Sequence, residues 1–228
     1  GNDTVDYTGA AAAVTADLSS GASDDGDGGQ DTFATIENLT GSTFGDDLTG
    51  DGNDNIIDGG AGDDLIQGGA GDDDLEGGAG TDTVSYSDSS SGATVNLGAG
   101  TASDGEGGSD TLSGFENVIG SDNADNITGD SGNNVLEGGL GNDTLNGRGG
   151  DDTIDGGDGT DTVTYANAGS GVTVDLDAGT ADDGESGSDT LIDIENITGS
   201  AYADILTGDD NDNTINGGAG NDTLVGAG

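Results

Sequence analysis

From Gly59 the chain reads GGAGDDLIQ, GGAGDDDLE and GGAGTDTVS, three nine-residue blocks in immediate succession. No other feature constrains the fold as much, because a short fixed period implies stacked, repeated units. Two looser blocks precede them, GSTFGDDLT from Gly41 and GDGNDNIID from Gly50. A second set of five starts at 120, 129, 138, 147 and 156, and a third begins at 199, 208 and 217. The shared pattern is Gly-Gly-x-Gly-x-Asp-x-U-x, with U a large aliphatic residue. U is Leu48, Ile57, Ile66, Leu75 and Val84 in the first set, and Ile127, Leu136, Leu145, Ile154 and Val163 in the second.

This period is nested in a longer one. With Gly1 laid on Gly80 and Gly159, GNDTVDY (1–7) falls on GTDTVSY (80–86) and GTDTVTY (159–165) without a gap. In the same alignment IENLTGS (36–42) meets FENVIGS (115–121) and IENITGS (194–200). The expected organisation is one continuous repeat segment over 1–228, part of a longer protein, with units 1–79, 80–158 and an incomplete 159–228. Between one set of blocks and the next lies a longer insert, over 86–119 and again over 165–198. The insert carries one more block-like stretch: GDGGQDTFA (26–34), GEGGSDTLS (105–113) and GESGSDTLI (184–192). It also carries two predicted strands, at Val95–Leu97 and near Val118.

Composition sharpens the question of what such a chain can do. Of 228 residues, 48 are acidic, one is basic (Arg148) and none is histidine, for a formal net charge of −47. Gly numbers 50, Pro is absent and hydrophobic residues are 29%. Charge and hydropathy alone read as disorder, but the strict register of the apolar positions argues against it. A chain this acidic repels nucleic acid and anionic membrane surfaces. Without Cys or His it has no disulfide, no thiolate nucleophile and no soft-metal ligand. Carboxylate oxygen remains, which suits hard cations, calcium before magnesium.

The nonapeptide has a direct physical reading. The x-U-x segment makes a short strand with U pointing inward. The six residues Gly-Gly-x-Gly-x-Asp turn the chain, glycine permitting positive φ and close backbone approach. Two strands and two turns, eighteen residues, close one coil, and stacked coils pair their strands in parallel about 4.8 Å apart. The expected fold class is therefore all-β, a parallel β-roll with two nonapeptides per coil. Five nonapeptide strands and three from the insert give eight half-coils, about four coils per unit. One aliphatic residue per nine cannot offset about 1–2 kcal/mol of backbone ordering per residue. A further source of stability is required, and the turns are where the charge sits.

These blocks resemble the repeats-in-toxin (RTX) calcium-binding nonapeptide, over about two thirds of the chain. The resemblance implies a β-roll in which each calcium lies between turns of adjacent coils. Position-six aspartates and turn carbonyls would supply the oxygens. Carried onto this sequence, the ligands are Asp3, Asp64, Asp73, Asp82, Asp143, Asp152, Asp161 and Asp222. Asp31, Asp110 and Asp189 follow in the inserts, and Asp46, Asp125 and Asp204 in blocks lacking the fourth-position Gly. The implied carbonyls are those of Gly60, Ala61, Gly62, Gly69, Ala70, Gly71, Gly78, Ala79, Gly80, Gly139, Gly141, Gly157, Gly159, Gly218 and Gly220. Asn55, Asn134 and Asn213 stand where Asp is expected. They either bind calcium weakly or complete the turn by hydrogen bonding.

The cofactor implied is Ca2+, about one ion per well-formed turn pair. Some 14 ions would cut the net charge from −47 to roughly −19. Binding then becomes folding free energy. The resemblance places such a chain outside the cell, secreted or at the surface of a Gram-negative bacterium. Two functions fit: a structural rod in an adhesin, surface layer or filament, and a folding-and-export module of a secreted protease, lipase or toxin. Expected partners are calcium, flanking repeats of the same protein, and further copies through open solenoid ends. Catalysis is not expected. Paired acids such as Asp63 and Asp64 recur in block after block, with no aromatic platform or cleft-forming insertion. An ice-binding ladder is not expected either, because position five mixes Asp63, Thr81, Asn142 and Thr160. Tyr7, Tyr86 and Tyr165 are read as packing residues, and Arg148 as a turn residue beside local carboxylates.

Overall fold

The computed structural model describes residues 1–226. The chain forms two compact units that meet in sequence between Ile119 and Gly120, and each is described by itself. Most strands are three residues long, and among the described residues the only helical element is a single 3-10 turn, Leu97–Ala99.

In the first unit successive nonapeptide strands alternate between two sheets. One sheet runs Thr4–Asp6, Asn38–Thr40, Ile56–Ala61, Asp74–Ala79, Asp110–Ser113, Thr101–Ser103, Thr94–Asn96. The other runs Asn117–Ile119, Thr83–Ser85, Leu65–Gln67, Asp47–Thr49, Thr15–Asp17, Ala22–Asp24, Gln30–Thr32. The second unit has the same plan. One of its sheets runs from Asn126–Thr128 through Thr144–Asn146, Thr162–Thr164 and Asn196–Thr198 to Thr214–Asn216. The other links Val135–Gly141 and Thr153–Gly159 to Ser188–Ile192, then to Thr180–Asp182, Thr173–Asp175, Ile205–Thr207 and Thr223–Val225.

The register is that of an eighteen-residue coil. Leu48 stands beside Ile66 and Ile66 beside Val84, while Ile57 stands beside Leu75, all in parallel. The second unit repeats this with Ile127 beside Leu145 and Leu145 beside Val163. Every U residue of the two five-block sets, Leu48 to Val84 and Ile127 to Val163, is 0% exposed. The cause is the alternation of Cβ directions along a strand: in a three-residue strand only the middle side chain faces in. Each such burial contributes roughly 1.5–3 kcal/mol, spread thinly over nine residues.

The turns stack backbone on backbone. Strand pairing continues through the glycines, with Gly60 beside Gly78 and Gly139 beside Gly157. A Cβ at Gly80 would run into the carbonyl oxygen of Gly62 one coil below, so no other residue fits there.

The insert departs from expectation. It supplies four strands, because Thr101–Ser103 pairs antiparallel with both Thr94–Asn96 and Asp110–Ser113. The second unit repeats the arrangement with Thr180–Asp182. The link Leu97–Gly100 is too short for a parallel crossover, which takes a dozen or more residues, so the chain reverses within the same sheet. The Asn96 side chain caps the 3-10 turn through the Ala99 N–H, and Gly100 leaves it at φ +66°. Because the three hairpin strands share one sheet, the eight half-coils expected per repeat become seven, an odd number. Strands at the same place in successive repeats accordingly lie in opposite sheets within one unit: Thr4–Asp6 against Thr83–Ser85, and Asn126–Thr128 against Ile205–Thr207. Thr101–Ser103 escapes a pattern reading because its inward residue is only Ala102, small and 7% exposed.

Candidate metal centre

Each block with Gly at position four and Asp at position six places that aspartate at the base of a turn, two residues before the inward U residue. The carboxylate is then inside the coil while its backbone still faces the next one. Asp64, Asp73 and Asp152 are 2% exposed, Asp143 is 1%, and Asp82 and Asp161 are 0%.

One oxygen of each carboxylate is committed to the stack. The Asp46 N–H donates to Asp64 Oδ1 (2.8 Å), Asp64 N–H to Asp82 Oδ1 (2.8 Å) and Asp82 N–H to Glu116 Oε2 (2.9 Å). On the opposite turns Asn55 N–H donates to Asp73 Oδ1 (2.8 Å) and Asp73 N–H to Asp110 Oδ1 (3.1 Å). The second unit has the same ladders. Asp125 N–H reaches Asp143 Oδ1 (2.8 Å), Asp143 N–H reaches Asp161 Oδ1 (2.7 Å), and Asp161 N–H reaches Glu195 Oε2 (2.7 Å). Asn134 N–H donates to Asp152 Oδ1 (2.9 Å), and Asp152 N–H to Asp189 Oδ1 (3.2 Å). Position five makes a second ladder: Thr81 N–H donates to Asp63 Oδ1 and Thr160 N–H to Asn142 Oδ1. Asp and Asn both accept such a bond, and Thr81 and Thr160 enter the ladder through their backbone N–H.

The other oxygen is bare. Oδ2 of Asp64, Asp73, Asp82, Asp143, Asp152 and Asp161 is buried without a hydrogen-bond partner. An unsatisfied carboxylate oxygen in a dry site is costly unless a cation or a proton meets it. The protein has no cation to offer, with one basic residue against 48 acids. The bare oxygens also converge with backbone carbonyls. A Cβ at Gly59 would collide with Asp64 Oδ2 and stand 2.7 Å from the Gly77 carbonyl. One at Gly138 would collide with Asp143 Oδ2 and stand 2.6 Å from the Gly156 carbonyl. Among the described residues no three acidic side chains form a group able to hold an ion by themselves, so backbone oxygens must complete any such site. This donor set, hard and partly carbonyl, fits calcium.

The electrostatics agree. Burial first, then neighbouring carboxylates, push the Asp73 and Asp152 carboxyls up to about 7. Burial likewise raises Asp64, Asp143 and Asp189 to about 6.

The remaining expected ligands are placed differently. Asp46, Asp125 and Asp204 spend their oxygens on the turn: each accepts both the N–H and the Oγ–H of Ser42, Ser121 or Ser200. Asp46 also takes the Val14 N–H, and Asp204 the Val172 N–H. Asp110 and Asp189 use Oδ2 to accept the Tyr86 and Tyr165 hydroxyls, at 2.9 and 2.8 Å. Asp3 and Asp31 are exposed and Asp222 is half-buried. Asn55 and Asn213 complete turns: Oδ1 accepts the Asp51 or Asp209 N–H, and Nδ2 donates to the Glu37 or Glu195 carbonyl. The implied carbonyls lie on turns, where Gly60, Gly62, Gly69, Gly71, Gly78, Gly139, Gly141, Gly157, Gly218 and Gly220 all have positive φ. The Ala79 carbonyl already accepts the Gly62 N–H (2.9 Å) and keeps a second lone pair.

Pattern reading missed Glu37, Glu116 and Glu195. They close the ladders by accepting the N–H of Asp3, Asp82 and Asp161 from far along the chain. The signal was in the sequence as the Glu-Asn shared by all three copies of the long repeat.

A family model described as the RTX calcium-binding nonapeptide repeat (4 copies) matches residues 37–84, 111–145, 119–154, 128–163 and 189–224, more than half of the chain. The chain belongs to the RTX calcium-binding nonapeptide repeat family. Its all-β fold of short strands in two mostly parallel sheets is the parallel β-roll expected of RTX repeats. It is a calcium-binding repeat module, and the orphaned aspartate oxygens fit that cation. None of the curated proteins matches the chain. RTX repeats are typical of secreted Gram-negative proteins, and no helix among the described residues is long and apolar enough to cross a membrane.

Proposed function

We propose that this RTX segment is a structural element of a longer secreted or cell-surface protein, one that calcium converts from an expanded chain into a stiff repeat array. The observation that carries this reading is the set of buried, unpartnered Asp Oδ2 atoms in a chain with a single basic residue. Without calcium, each carboxylate must either take up a proton or remain an uncompensated charge in a thin core. With calcium, the same oxygens become ligands, and binding free energy becomes folding free energy.

In this reading Asp64, Asp73, Asp82, Asp143, Asp152 and Asp161 ligate the ions with turn carbonyls, whereas Asp46, Asp125, Asp204, Asn55 and Asn213 hold turns. Extracellular calcium modules bind at roughly 10⁻⁴–10⁻³ M, far above cytosolic levels, so folding would await export. The gap-free tandem of long repeats favours a structural array over an export module appended to an enzyme. Far-UV circular dichroism and small-angle scattering near neutral pH test the switch. Calcium should bring β signal and compaction together, and β signal that persists in excess chelator rejects it.

A further inference from the structure

The buried, unpartnered oxygens include two that belong to no nonapeptide aspartate: Oδ2 of Asp104 and of Asp183. Both residues are 0% exposed. They occupy the same place in successive repeats, each at the mouth of the insert hairpin and just before its block-like stretch. Their Oδ1 atoms hold the turn. Asp104 Oδ1 accepts the N–H groups of Glu106 (2.8 Å), Gly107 (3.0 Å) and Gly108 (2.9 Å). Asp183 Oδ1 accepts those of Glu185 (2.6 Å) and Gly187 (2.9 Å).

Turn capping does not account for a carboxylate at these positions. An asparagine caps a turn through the same Oδ1, and this chain uses one where capping is all that is needed: Asn55 and Asn213 satisfy both ends of their amides. At Asp104 and Asp183 a second, charged oxygen is kept in a dry site, at the cost of its desolvation.

That oxygen is aimed at a backbone carbonyl of the preceding turn. A Cβ at Gly108 would stand 2.6 Å from Asp104 Oδ2 and run into the Gly71 carbonyl oxygen. A Cβ at Gly187 would stand 2.6 Å from Asp183 Oδ2 and run into the Gly150 carbonyl. The Gly71 turn ends in Asp73 and the Gly150 turn in Asp152, each with its own bare Oδ2. The charge of Asp104 acts on both Asp73 and Asp110, and that of Asp183 on both Asp152 and Asp189. In the second unit Arg148 lines a cavity with Asp183 and Glu185, yet Asp183 Oδ2 stays unpartnered; at the equivalent position of the first unit stands Gly69.

We infer that the insert turns at Asp104 and Asp183 each hold a divalent, oxygen-seeking cation of their own, with Asp104 Oδ2 and the Gly71 carbonyl as ligands in one unit and Asp183 Oδ2 and the Gly150 carbonyl in the other; the equivalent Asp25 of the first insert is only half-buried and is not part of the inference. These sites lie where the antiparallel hairpin interrupts the parallel stack. They staple the insert onto the last nonapeptide turn below it. The inference rests on the calcium reading of the nonapeptides only for the identity of the ion.

The test counts calcium ions on the full chain by native mass spectrometry and equilibrium dialysis. It compares wild type with Asp104→Asn and with Asp104→Asn/Asp183→Asn. Asparagine keeps the turn cap and removes only the bare oxygen. One ion should be lost in the single variant and two in the double, with β signal at saturating calcium retained. An unchanged count overturns the inference. Crystals of the wild-type chain grown with terbium give a reading independent of any variant: an anomalous peak should stand beside Asp104 Oδ2. Occupied nonapeptide turns with no peak there overturn this inference alone, whereas a wild-type chain that takes up no calcium overturns the general reading with it.

Discussion

Removing calcium should reverse the sign of this chain's pH dependence. In the metal-free fold, burial first and neighbouring carboxylates second push Asp152 up to about 7, against an ordinary 3.8, and Asp73 behaves alike. Hydrogen bonds from backbone N–H groups oppose the rise without cancelling it. Such a group holds its proton more tightly in the fold than in the unfolded chain. The stability this lends is complete below the unfolded value of 3.8 and is lost as pH climbs through the folded value of about 7. For Asp152 alone the span corresponds to about 4 kcal/mol. Asp183 and Asp189 interact with it, so such contributions do not add.

Calcium inverts the relation, because a ligand carboxylate must be ionised to bind. Far-UV circular dichroism between about pH 4 and pH 8, in chelator and in saturating calcium, separates the two regimes over the window these shifts define. In chelator the β signal should be greatest at the acid end and fade toward the alkaline end. In calcium it should persist at the alkaline end, and the calcium midpoint should rise as pH falls through 7. Asp152→Asn, which has no proton to lose, should flatten the chelator profile and weaken calcium binding. A chelated chain that gains β structure as pH rises, or a calcium midpoint indifferent to pH, would refute the reasoning.

Three further outcomes follow from particular contacts. Asp143→Asn should lower the calcium count with the stack intact. Asp143→Ala should cost about 1–3 kcal/mol more in a calcium-dependent unfolding titration, because it also strands the Asp125 N–H. Leu145→Ala empties a fully buried site and should cost about 2–5 kcal/mol, seen as a higher calcium midpoint for folding. Gly80→Ala drives a Cβ into the Gly62 carbonyl and should cost at least about 1–3 kcal/mol by forced displacement of the coil below. Gly52→Ala, which meets nothing within 4 Å, serves as the control and should leave the midpoint nearly unchanged.

The nine-residue period by itself determined the strand positions, the inward residues from Leu48 to Val163, the eighteen-residue coil and the placement of carboxylates at turn ends. These follow from the sequence because strand alternation and glycine turns are local rules, repeated until they fix the whole stack. Only the tertiary structure decided three other matters. It put Thr101–Ser103 antiparallel, since a short loop and a small inward Ala102 leave no periodic trace. It brought the Val14 N–H to Asp46 from 32 residues away and left Asp64 with one bare oxygen, although both sit at position six. It also brought Asp104 to the Gly71 turn. Which oxygen the stack holds depends on the N–H group facing it from another coil, as Asp46 faces Asp64 and Asp73 faces Asp110, and no local pattern records that neighbour; the Ser42 bonds to Asp46, by contrast, are local.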